Sequence, residues 1–381
     1  MPAGLYLHYP FCSAICSYCD YFKLQLTKEL EKKYFSAIIK EAELRAQTLS
    51  SNSQIESIFV GGGTPSAASI EDLQTLINKI RSTYGIADDL EFSIECNPED
   101  ISPELVNRYQ SLGVNRINVG MQTLDERQLK LLNRKHRVHD IHKSIYDLSV
   151  ARFDNVAVDI LFGFPKQTGK ELAGDIAEII ALEPKHISLY QLTFEENTKL
   201  HTLLKERKIK TLDDDYLAAM MLSANEQLNE AGYVRYELNS FAKNGYECRH
   251  NLNYWRGGDF LGLGPSAVSK IGNKRICNPP DFDAYINSLS HGMLPADEHV
   301  LIPQEEIEDY VIMALRLTEG IDLEKFKERF EADLMQVLNS KELEILLKTN
   351  FLKIESKFLS MSDEGSFFYD EIIARLLADE D

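Results

Sequence analysis

The chain has 381 residues, of which 44% are apolar and 27% charged, and its net charge is −19. This composition is typical of a globular protein, long enough for one large domain or for a large and a small one. The acidic balance argues against a protein that binds nucleic acid mainly by neutralising phosphates. No apolar run is long enough to cross a membrane, and the N-terminus lacks the pattern of a signal peptide. A cytoplasmic protein is therefore expected.

The first 240 residues alternate short β-branched runs with longer helical patterns. The predicted strands are Leu5–His8, Ser57–Val60, Leu90–Glu95, Arg116–Gly120, Val156–Leu161 and His186–Leu192. The predicted helices between them include Lys28–Leu49, Ile70–Tyr84, Pro103–Leu112 and Lys170–Leu182. Strand followed by helix, repeated about six times, predicts an α/β fold with a parallel sheet and outer helices. Ligands of such folds bind at the carboxyl ends of the strands, so one site is expected there.

The character of the chain changes after about residue 240. Residues 257–280 are rich in glycine and proline, which predicts loops and short strands. Amphipathic helices are then predicted at Glu305–Leu317, Asp322–Phe330, Ser340–Lys348 and from Asp370, with a strand at Leu352–Ser360. We therefore expect a core of residues 1–240, a connecting segment of residues 241–300 and a smaller, mainly helical C-terminal domain of residues 301–381.

Three of the six cysteines, Cys12, Cys16 and Cys19, form a C-x3-C-x2-C pattern close to the N-terminus. In a reducing cytosol, clustered cysteines are more often metal ligands or redox groups than disulfides. Three thiolates on one loop can hold three irons of a 4Fe–4S cluster and leave the fourth iron open. A zinc site is the alternative, although structural zinc usually takes four ligands. The remaining cysteines are scattered and are assigned no cluster.

With this cysteine loop, the segment LYLHYPFCSAICSYCDYF resembles the radical S-adenosylmethionine superfamily. Within the superfamily it is similar to the HemN/HemW branch, which contains oxygen-independent coproporphyrinogen III oxidases and heme chaperones. The resemblance covers about residues 4–270, with a weaker likeness in the helical tail. It implies a partial (β/α)6 TIM-like barrel whose cluster is held by Cys12, Cys16 and Cys19. It also implies that S-adenosylmethionine chelates the open iron and is cleaved by the reduced cluster to a 5′-deoxyadenosyl radical.

The resemblance also implies a set of residues that bind S-adenosylmethionine. Gly62, Gly63 and Thr64 follow a predicted strand, where missing side chains would let the backbone approach the methionine moiety. A plain tight turn is the alternative for this segment. The other contacts that the resemblance implies are Tyr6, Tyr18, Glu95, Gln122, Arg134 and Asp159. An acid at a strand end often caps a helix or forms a surface ion pair, so each acid also has a simpler interpretation.

Two features separate the members of the branch. The oxidases carry a fourth cysteine two residues after the third and a long N-terminal extension, whereas here Tyr21 takes that position and eleven residues precede Cys12. The segment His250-Asn-Leu-Asn-Tyr254-Trp255 matches the H-N-x-x-Y-W signature of the heme chaperones. A histidine can ligate heme iron, and tyrosine and tryptophan offer flat faces to a porphyrin. The alternative is that these residues form a packed, hydrogen-bonded seam.

The resemblance thus implies a heme chaperone that binds heme, a 4Fe–4S cluster and S-adenosylmethionine, without coproporphyrinogen dehydrogenase activity. Such chaperones deliver heme to membrane respiratory enzymes, so transient membrane contact is expected. The alternative is an oxygen-independent coproporphyrinogen III oxidase, which converts propionates to vinyl groups and shares the cofactors and most site residues. A zinc-loop scaffold without catalysis is disfavoured, because the glycine-rich segment and the strand-end polar residues would need separate explanations. The sequence leaves the oligomeric state and the acceptor protein open.

Overall fold

The computed structural model describes residues 4–47 and 54–378. Its strands, in chain order, are β1 Gly4–Tyr9, β2 Phe11–Cys12, β3 Leu24–Gln25, β4 Gln54–Gly62, β5 Gly85–Cys96, β6 Arg116–Gln122, β7 Val156–Phe162, β8 His186–Gln191, β9 Val234–Arg235, β10 Ser240–Ala242, β11 Phe260–Leu263, β12 Val268–Ile271, β13 Lys274–Cys277, β14 Asp297–Val300, β15 Ile321–Asp322, β16 Leu352–Glu355 and β17 Phe358–Met361. Its helices are α1 Lys28–Ala46, α2 Ile70–Thr83, α3 Pro103–Leu112, α4 Glu126–Leu131, α5 Val138–Val150, α6 Gly169–Ala181, α7 Lys199–Lys205, α8 Asp214–Glu230, α9 Arg249–Trp255, α10 Phe282–Ser290, α11 Pro303–Ala314, α12 Leu323–Phe330, α13 Leu334–Val337, α14 Ser340–Lys348, α15 Asp363–Phe367 and α16 Tyr369–Leu376.

The described residues form a twelve-stranded sheet in the order β14-β13-β12-β11-β1-β4-β5-β6-β7-β8-β10-β9. Its central strands β1, β4, β5, β6, β7 and β8 are parallel neighbours in chain order. At least one helix lies between each of them and the next, as parallel neighbours require a crossover connection. The predicted α/β fold, a partial barrel of alternating strands and helices, is confirmed.

The sheet continues beyond the alternating part of the chain. Strand β11 pairs with β1 in parallel, with Gly4 opposite Phe260, and β12, β13 and β14 follow as antiparallel strands. At the other edge β10 and β9 add two antiparallel strands to β8. The boundary expected at residue 240 therefore falls inside one sheet, and the division into three parts stays a prediction.

Local sequence explains where the helices of the barrel begin and end. The side chains of Thr27, Ser69 and Ser102 accept a backbone hydrogen bond at the start of α1, α2 and α3. Thr168 opens α6 with a capping box, and Gly113 ends α3 in the left-handed conformation. The predicted first helix continued to position 49, but α1 ends at position 46, and positions 48 and 49 lie outside the described residues.

Buried apolar residues form a large core in the barrel and another in the C-terminal region. The C-terminal core lies between helices α11 to α16 and the sheet β15-β17-β16, which confirms the predicted mainly helical character. The single strand predicted at Leu352–Ser360 is wrong, because the chain turns at Ser356, with φ of 57°, and returns as β17. Within the two described ranges, no helix is both long and apolar enough to span a membrane.

Candidate functional site

A cavity of about 750 Å³, here called the outer cavity, opens at the carboxyl ends of the parallel strands. The cysteine loop, the glycine-rich loop after β4 and the ends of β5 to β8 line it. Phe367 and Tyr369 of the C-terminal helices also belong to its lining. The outer cavity brings together the following residues predicted from the sequence: Cys12, Cys16, Tyr18, Cys19, Gly62, Gly63, Thr64, Glu95, Gln122, Arg134 and Asp159.

Backbone hydrogen bonds fix the cysteine loop at its base and in its middle. Strands β2 and β3 pair in parallel, with Phe11 opposite Leu24, so the two ends of the loop are held together. In the middle, the N–H of Ser17 donates to the carbonyl of Leu132, 2.9 Å away. The three cysteines are thus presented from an anchored loop, and Cys12 itself is buried.

The thiols of the loop have an environment that suits an iron–sulfur cluster. Burial raises the pKa of the Cys12 and Cys19 thiols, while Nη1 of Arg134 lies 3.3 Å from Sγ of Cys16. A neighbouring cation favours a thiolate. Across the described ranges, no three histidine, cysteine or acidic side chains converge tightly enough to hold one metal ion. A cubane takes its thiolates at separate corners, so three cysteines around one cavity fit it without such convergence.

The glycine-rich loop packs directly on the cysteine loop. The N–H of Gly63 donates to the carbonyl of Tyr9 at 2.7 Å, and that of Thr64 to the carbonyl of Phe11 at 2.8 Å. A Cβ atom on Gly63 would lie 2.5 Å from the carbonyl oxygen of Phe11, and Gly62 has a φ of 112°. These glycines are therefore needed for the contact between the two loops, a structural role that the sequence interpretation did not include.

Two carboxyl groups face the interior of the barrel from neighbouring positions. Glu95 accepts a hydrogen bond from the N–H of Gly62 at 3.2 Å, and Asp159 accepts one from Nδ2 of Asn118 at 2.5 Å. Burial and the nearby charge of Asp159 raise the pKa of Glu95 to about 7. Burial also raises the pKa of Asp159, although hydrogen bonds from Ser188 and Asn118 oppose that effect. Near neutral pH, Glu95 can therefore exchange a proton with a bound group.

Gln122 and Arg134 lie where β6 ends. Gln122 has a φ of 68°, unusual for a residue other than glycine, at a register shift between β6 and β7. Nη2 of Arg134 donates to Oδ1 of Asn97 at 2.7 Å and to the carbonyl of Gly120 at 3.1 Å. Because its other terminal nitrogen contacts Cys16, the Arg134 guanidinium bridges the cysteine loop and two strand ends.

A second cavity of about 580 Å³, here called the inner cavity, adjoins the first. The two share the lining residues Tyr21, Gly62, Glu95, Asn118, Asp159 and Tyr190. The inner cavity brings together four residues predicted from the sequence: Tyr6, His250, Tyr254 and Trp255. Tyr6 contacts Nδ1 of His8 at 2.9 Å and is absent from the lining of the outer cavity, so its contact with S-adenosylmethionine stays a prediction.

The His250 ring is buried and both of its nitrogens have partners. Nδ1 lies 2.9 Å from Oγ of Ser57, and Nε2 lies 2.7 Å from the hydroxyl of Tyr254. The ring also stacks on Phe59, with 5.3 Å between centroids. Burial lowers the pKa of His250 to about 3, so the ring is neutral. This geometry agrees with the hydrogen-bonded seam, and ligation of iron, which would break one of these contacts, stays a prediction.

Tyr254 and Trp255 belong to the aromatic wall of the inner cavity. The Tyr254 ring meets Phe260 edge to face, with 4.3 Å between centroids. The guanidinium of Arg316 lies 4.4 Å from the centre of the Trp255 ring and covers one of its faces. Both residues line the cavity, and their contact with a porphyrin stays a prediction.

Sequence reasoning missed several polar residues that the fold brings into the two cavities. Asn118 precedes Gly120 by two positions on β6, so the period of a strand could have placed it on the same face. Asn97 follows Glu95 by two positions in the same way. Arg116 lies two positions before Asn118 on β6, so the same period could have placed it as well. The contact of Glu91 with α9 carried no local signal, because it depends on how a distant helix packs beneath the strands.

The chain matches the Radical SAM superfamily over residues 6–179 and the HemN C-terminal domain over residues 301–368. Its fold is similar to that of coproporphyrinogen III oxidase (HemN) from Escherichia coli, with a TM-score of 0.82 at 22% identity. That likeness covers 98% of this chain and 89% of the other. The fold and the cysteine loop thus define a radical SAM protein.

Closer relatives are proteins named heme chaperone HemW. That of Buchnera aphidicola is 31% identical over 98% of this chain and 97% of its own length. That of Bacillus subtilis is 30% identical over 98% of this chain and 99% of its own length. That of Escherichia coli is 36% identical over 71% of this chain and 70% of its own length. The chain belongs to the HemW family, as its cysteine loop and H-N-x-x-Y-W segment predicted.

Proposed function

We propose that this protein is a heme chaperone, which binds heme, a 4Fe–4S cluster and S-adenosylmethionine. The observation that carries the proposal is the position of the segment from His250 to Trp255, which lines an aromatic cavity beside the cysteine-lined one. A porphyrin is a flat apolar body, and aromatic walls such as Phe59 and Tyr254 suit its faces. The full-length likeness to proteins named heme chaperone HemW supports the same function.

Within this proposal the outer cavity is the cofactor site. Cys12, Cys16 and Cys19 would hold the cluster, and the polar side chains around them would bind S-adenosylmethionine. When bound, the two cofactors supply one-electron and radical chemistry. Asp159 offers acceptor oxygens that suit ribose hydroxyls, and Glu95 offers a carboxyl whose pKa of about 7 suits an amino group or sulfonium.

The alternative is an oxygen-independent coproporphyrinogen III oxidase, whose fold this chain shares. The residue that distinguishes the two is Tyr21, which stands where the resemblance places the fourth cysteine of the oxidases. Its side chain is 69% exposed and lines both cavities. At this position the cavities therefore have a tyrosine side chain in place of a fourth thiol. We therefore favour the chaperone, without coproporphyrinogen dehydrogenase activity.

We further propose that heme passes from this protein to membrane respiratory enzymes, through transient contact with the membrane or its proteins. Free, clustered cysteines favour a reducing compartment, so we propose a cytoplasmic location. The net charge of −19 makes neutral or cationic protein surfaces better docking partners than an anionic lipid surface.

The test is a pair of assays on anaerobically reconstituted protein. Heme is titrated and followed by absorbance, and coproporphyrinogen III is incubated with protein, S-adenosylmethionine and a reductant. We expect heme to bind and no decarboxylated product to form. Product above the level of a Cys16→Ala variant would overturn the proposal in favour of the oxidase.

Iron content and the absorbance of the cluster complete this experiment. Cys16→Ala should lose the cluster, because it removes one of three ligands on the same loop. Cys277→Ala is the matched control, since Cys277 lies on β13 and outside the lining of both cavities. Equal iron in all three proteins would contradict the assignment of the cluster to the cysteine loop.

A further inference from the structure

The inner cavity contains a buried arginine whose guanidinium has no counter-ion in contact. Arg116 begins β6, is 2% exposed and lines the cavity. Its Nε has no hydrogen-bond partner, and it forms no ion pair with an acid of the described ranges. A buried cation without a close partner is unfavourable, so this position suits an anionic group from a ligand.

The acids closest to Arg116 are already engaged by other donors. Glu91 raises the pKa of Arg116 from a distance, but its two oxygens accept the N–H groups of Arg249 and His250, each at 3.0 Å. Asp159 accepts a hydrogen bond from Asn118. The Arg116 guanidinium therefore stays cationic, because the surrounding groups raise its pKa despite burial, but no acid in the described part of the chain is in direct contact with it.

A second pair of cations lines the same cavity from the β12–β13 hairpin. Lys270 and Arg275 stand directly opposite each other in the register of the two strands. Like charges in directly opposite positions destabilise a strand pair, so their presence there calls for a compensating anion. Asp309 neutralises Arg275, whereas Lys270 makes no ion pair with any described residue. Burial and the nearby charge of Arg329 lower the pKa of Lys270. Three acids, Asp309, Asp259 and Glu306, oppose that effect without forming an ion pair with Lys270.

We propose that the inner cavity binds a tetrapyrrole through its carboxylates, with Arg116 holding one propionate and Lys270 another. The inference rests on the proposed function and names the groups that recognise the ligand. Phe59, Tyr254 and Phe260 line the same cavity as these cations and offer aromatic faces to the macrocycle. In this proposal the propionates are the groups that the protein recognises. His250 contacts Ser57 and Tyr254 and is a positioning residue.

The test compares protoporphyrin IX with its dimethyl ester, which has the same macrocycle and no charged carboxylate. Both are titrated into the full-length, cluster-reconstituted protein in the same detergent, and quenching of Trp255, the one tryptophan of the sequence, reports binding. We expect the free acid to bind at least roughly tenfold more tightly than the ester. Arg116→Gln and Lys270→Gln should each reduce that preference, and the double variant should abolish it.

Lys274→Gln is the matched control, since Lys274 lies on the same hairpin, is half exposed and pairs with Glu298 outside the cavity. It should keep the preference of the unmodified protein. Equal affinity for the two porphyrins would overturn the propionate proposal and leave heme binding intact. Failure of both porphyrins to bind would overturn the proposed function as well. If Arg116→Gln does not fold, the ester comparison and Lys270→Gln still decide the question.

Discussion

Glu95 lines both cavities, and the pKa of its carboxyl departs clearly from that of a glutamate in solution. Burial and the charge of Asp159 raise its pKa to about 7, against the opposing hydrogen bond from the N–H of Gly62. A group with this pKa is half ionised under physiological conditions, and the charge of the interior therefore changes with pH. The consequence can be measured on the protein without its cofactors.

Between about pH 4.5 and 7 the folded chain retains a proton on Glu95 that the unfolded chain releases. The free energy of unfolding should therefore fall as pH rises through that window, by up to about 3 kcal/mol. Glu95→Gln should remove this part of the slope and be the more stable protein at pH 8. Urea unfolding of cluster-free protein at pH 4.5 and pH 8 measures the difference.

Glu104→Gln, an exposed substitution on α3, is the control for this measurement. It should leave the pH dependence of stability as it is in the unmodified chain. If Glu95→Gln and the unmodified chain gave parallel curves over this range, the raised pKa of Glu95 would be wrong.

At the scale of one element, the start of helix α9 is held by an acid on strand β5. The helix has no side-chain cap of its own, and the carboxylate of Glu91 accepts the N–H groups of its first two residues, Arg249 and His250. This arrangement satisfies two of the free N–H groups of a helix start and places a negative charge at its positive end. The position of the motif from His250 to Trp255 thus depends on β5.

Glu91→Ala should destabilise the protein by about 2 to 4 kcal/mol, because two buried N–H groups lose a charged acceptor. The same change should shift the emission of Trp255 to the red as α9 loosens. Asp89→Ala is a matched control, since Asp89 is exposed and meets Arg249 in a surface ion pair at 3.2 Å. That control should cost less than about 1 kcal/mol, as surface ion pairs do. An unchanged emission in Glu91→Ala would contradict the role of Glu91.

Across the whole molecule, a buried polar network joins the first helix to residues more than 200 positions away. Glu41 on α1 is fully buried and accepts hydrogen bonds from the hydroxyl of Tyr285, Nδ2 of Asn278 and the N–H of Gly264, at 2.7, 2.7 and 2.8 Å. Nε of Arg45 lies 3.6 Å from its Oε1. The network holds the segment after β11 against the barrel, beside the strand that leads to the cysteine loop.

Glu41→Ala should cost about 3 to 5 kcal/mol, because it removes the carboxylate beside a buried arginine. The double variant Glu41→Met/Arg45→Met should be clearly more stable than Glu41→Ala, since it removes both charges and refills the space. Urea unfolding measures both. Glu29→Ala, an exposed residue of the same helix that pairs with Lys33, should have little effect. A double variant as unstable as Glu41→Ala would show that the ionic contact is not the main contribution.

The sequence by itself determined those features of the protein that depend on the spacing of residues close together in the chain. The alternation of strands and helices predicted the parallel sheet, because hydrophobic periodicity and helix caps are both set by residues a few positions apart. The C-x3-C-x2-C loop predicted where the thiols lie together, because its ligands are neighbours in the chain. The same reasoning placed Glu95, Gln122 and Asp159 at one end of the sheet, where the structure brings them together around the outer cavity.

Only the tertiary structure decided which distant residues share a cavity. Arg116 and Lys270 belong to strands about 150 positions apart, and Tyr6 and His250 share a cavity because α9 packs against β4. The parallel pairing of β11 with β1 brought the chain beyond residue 240 into the same sheet, where glycine and proline had predicted loops and short strands but not their partners. Such contacts depend on strand order and on buried partners, neither of which a local pattern encodes, because pairing is decided by the packing of the whole sheet.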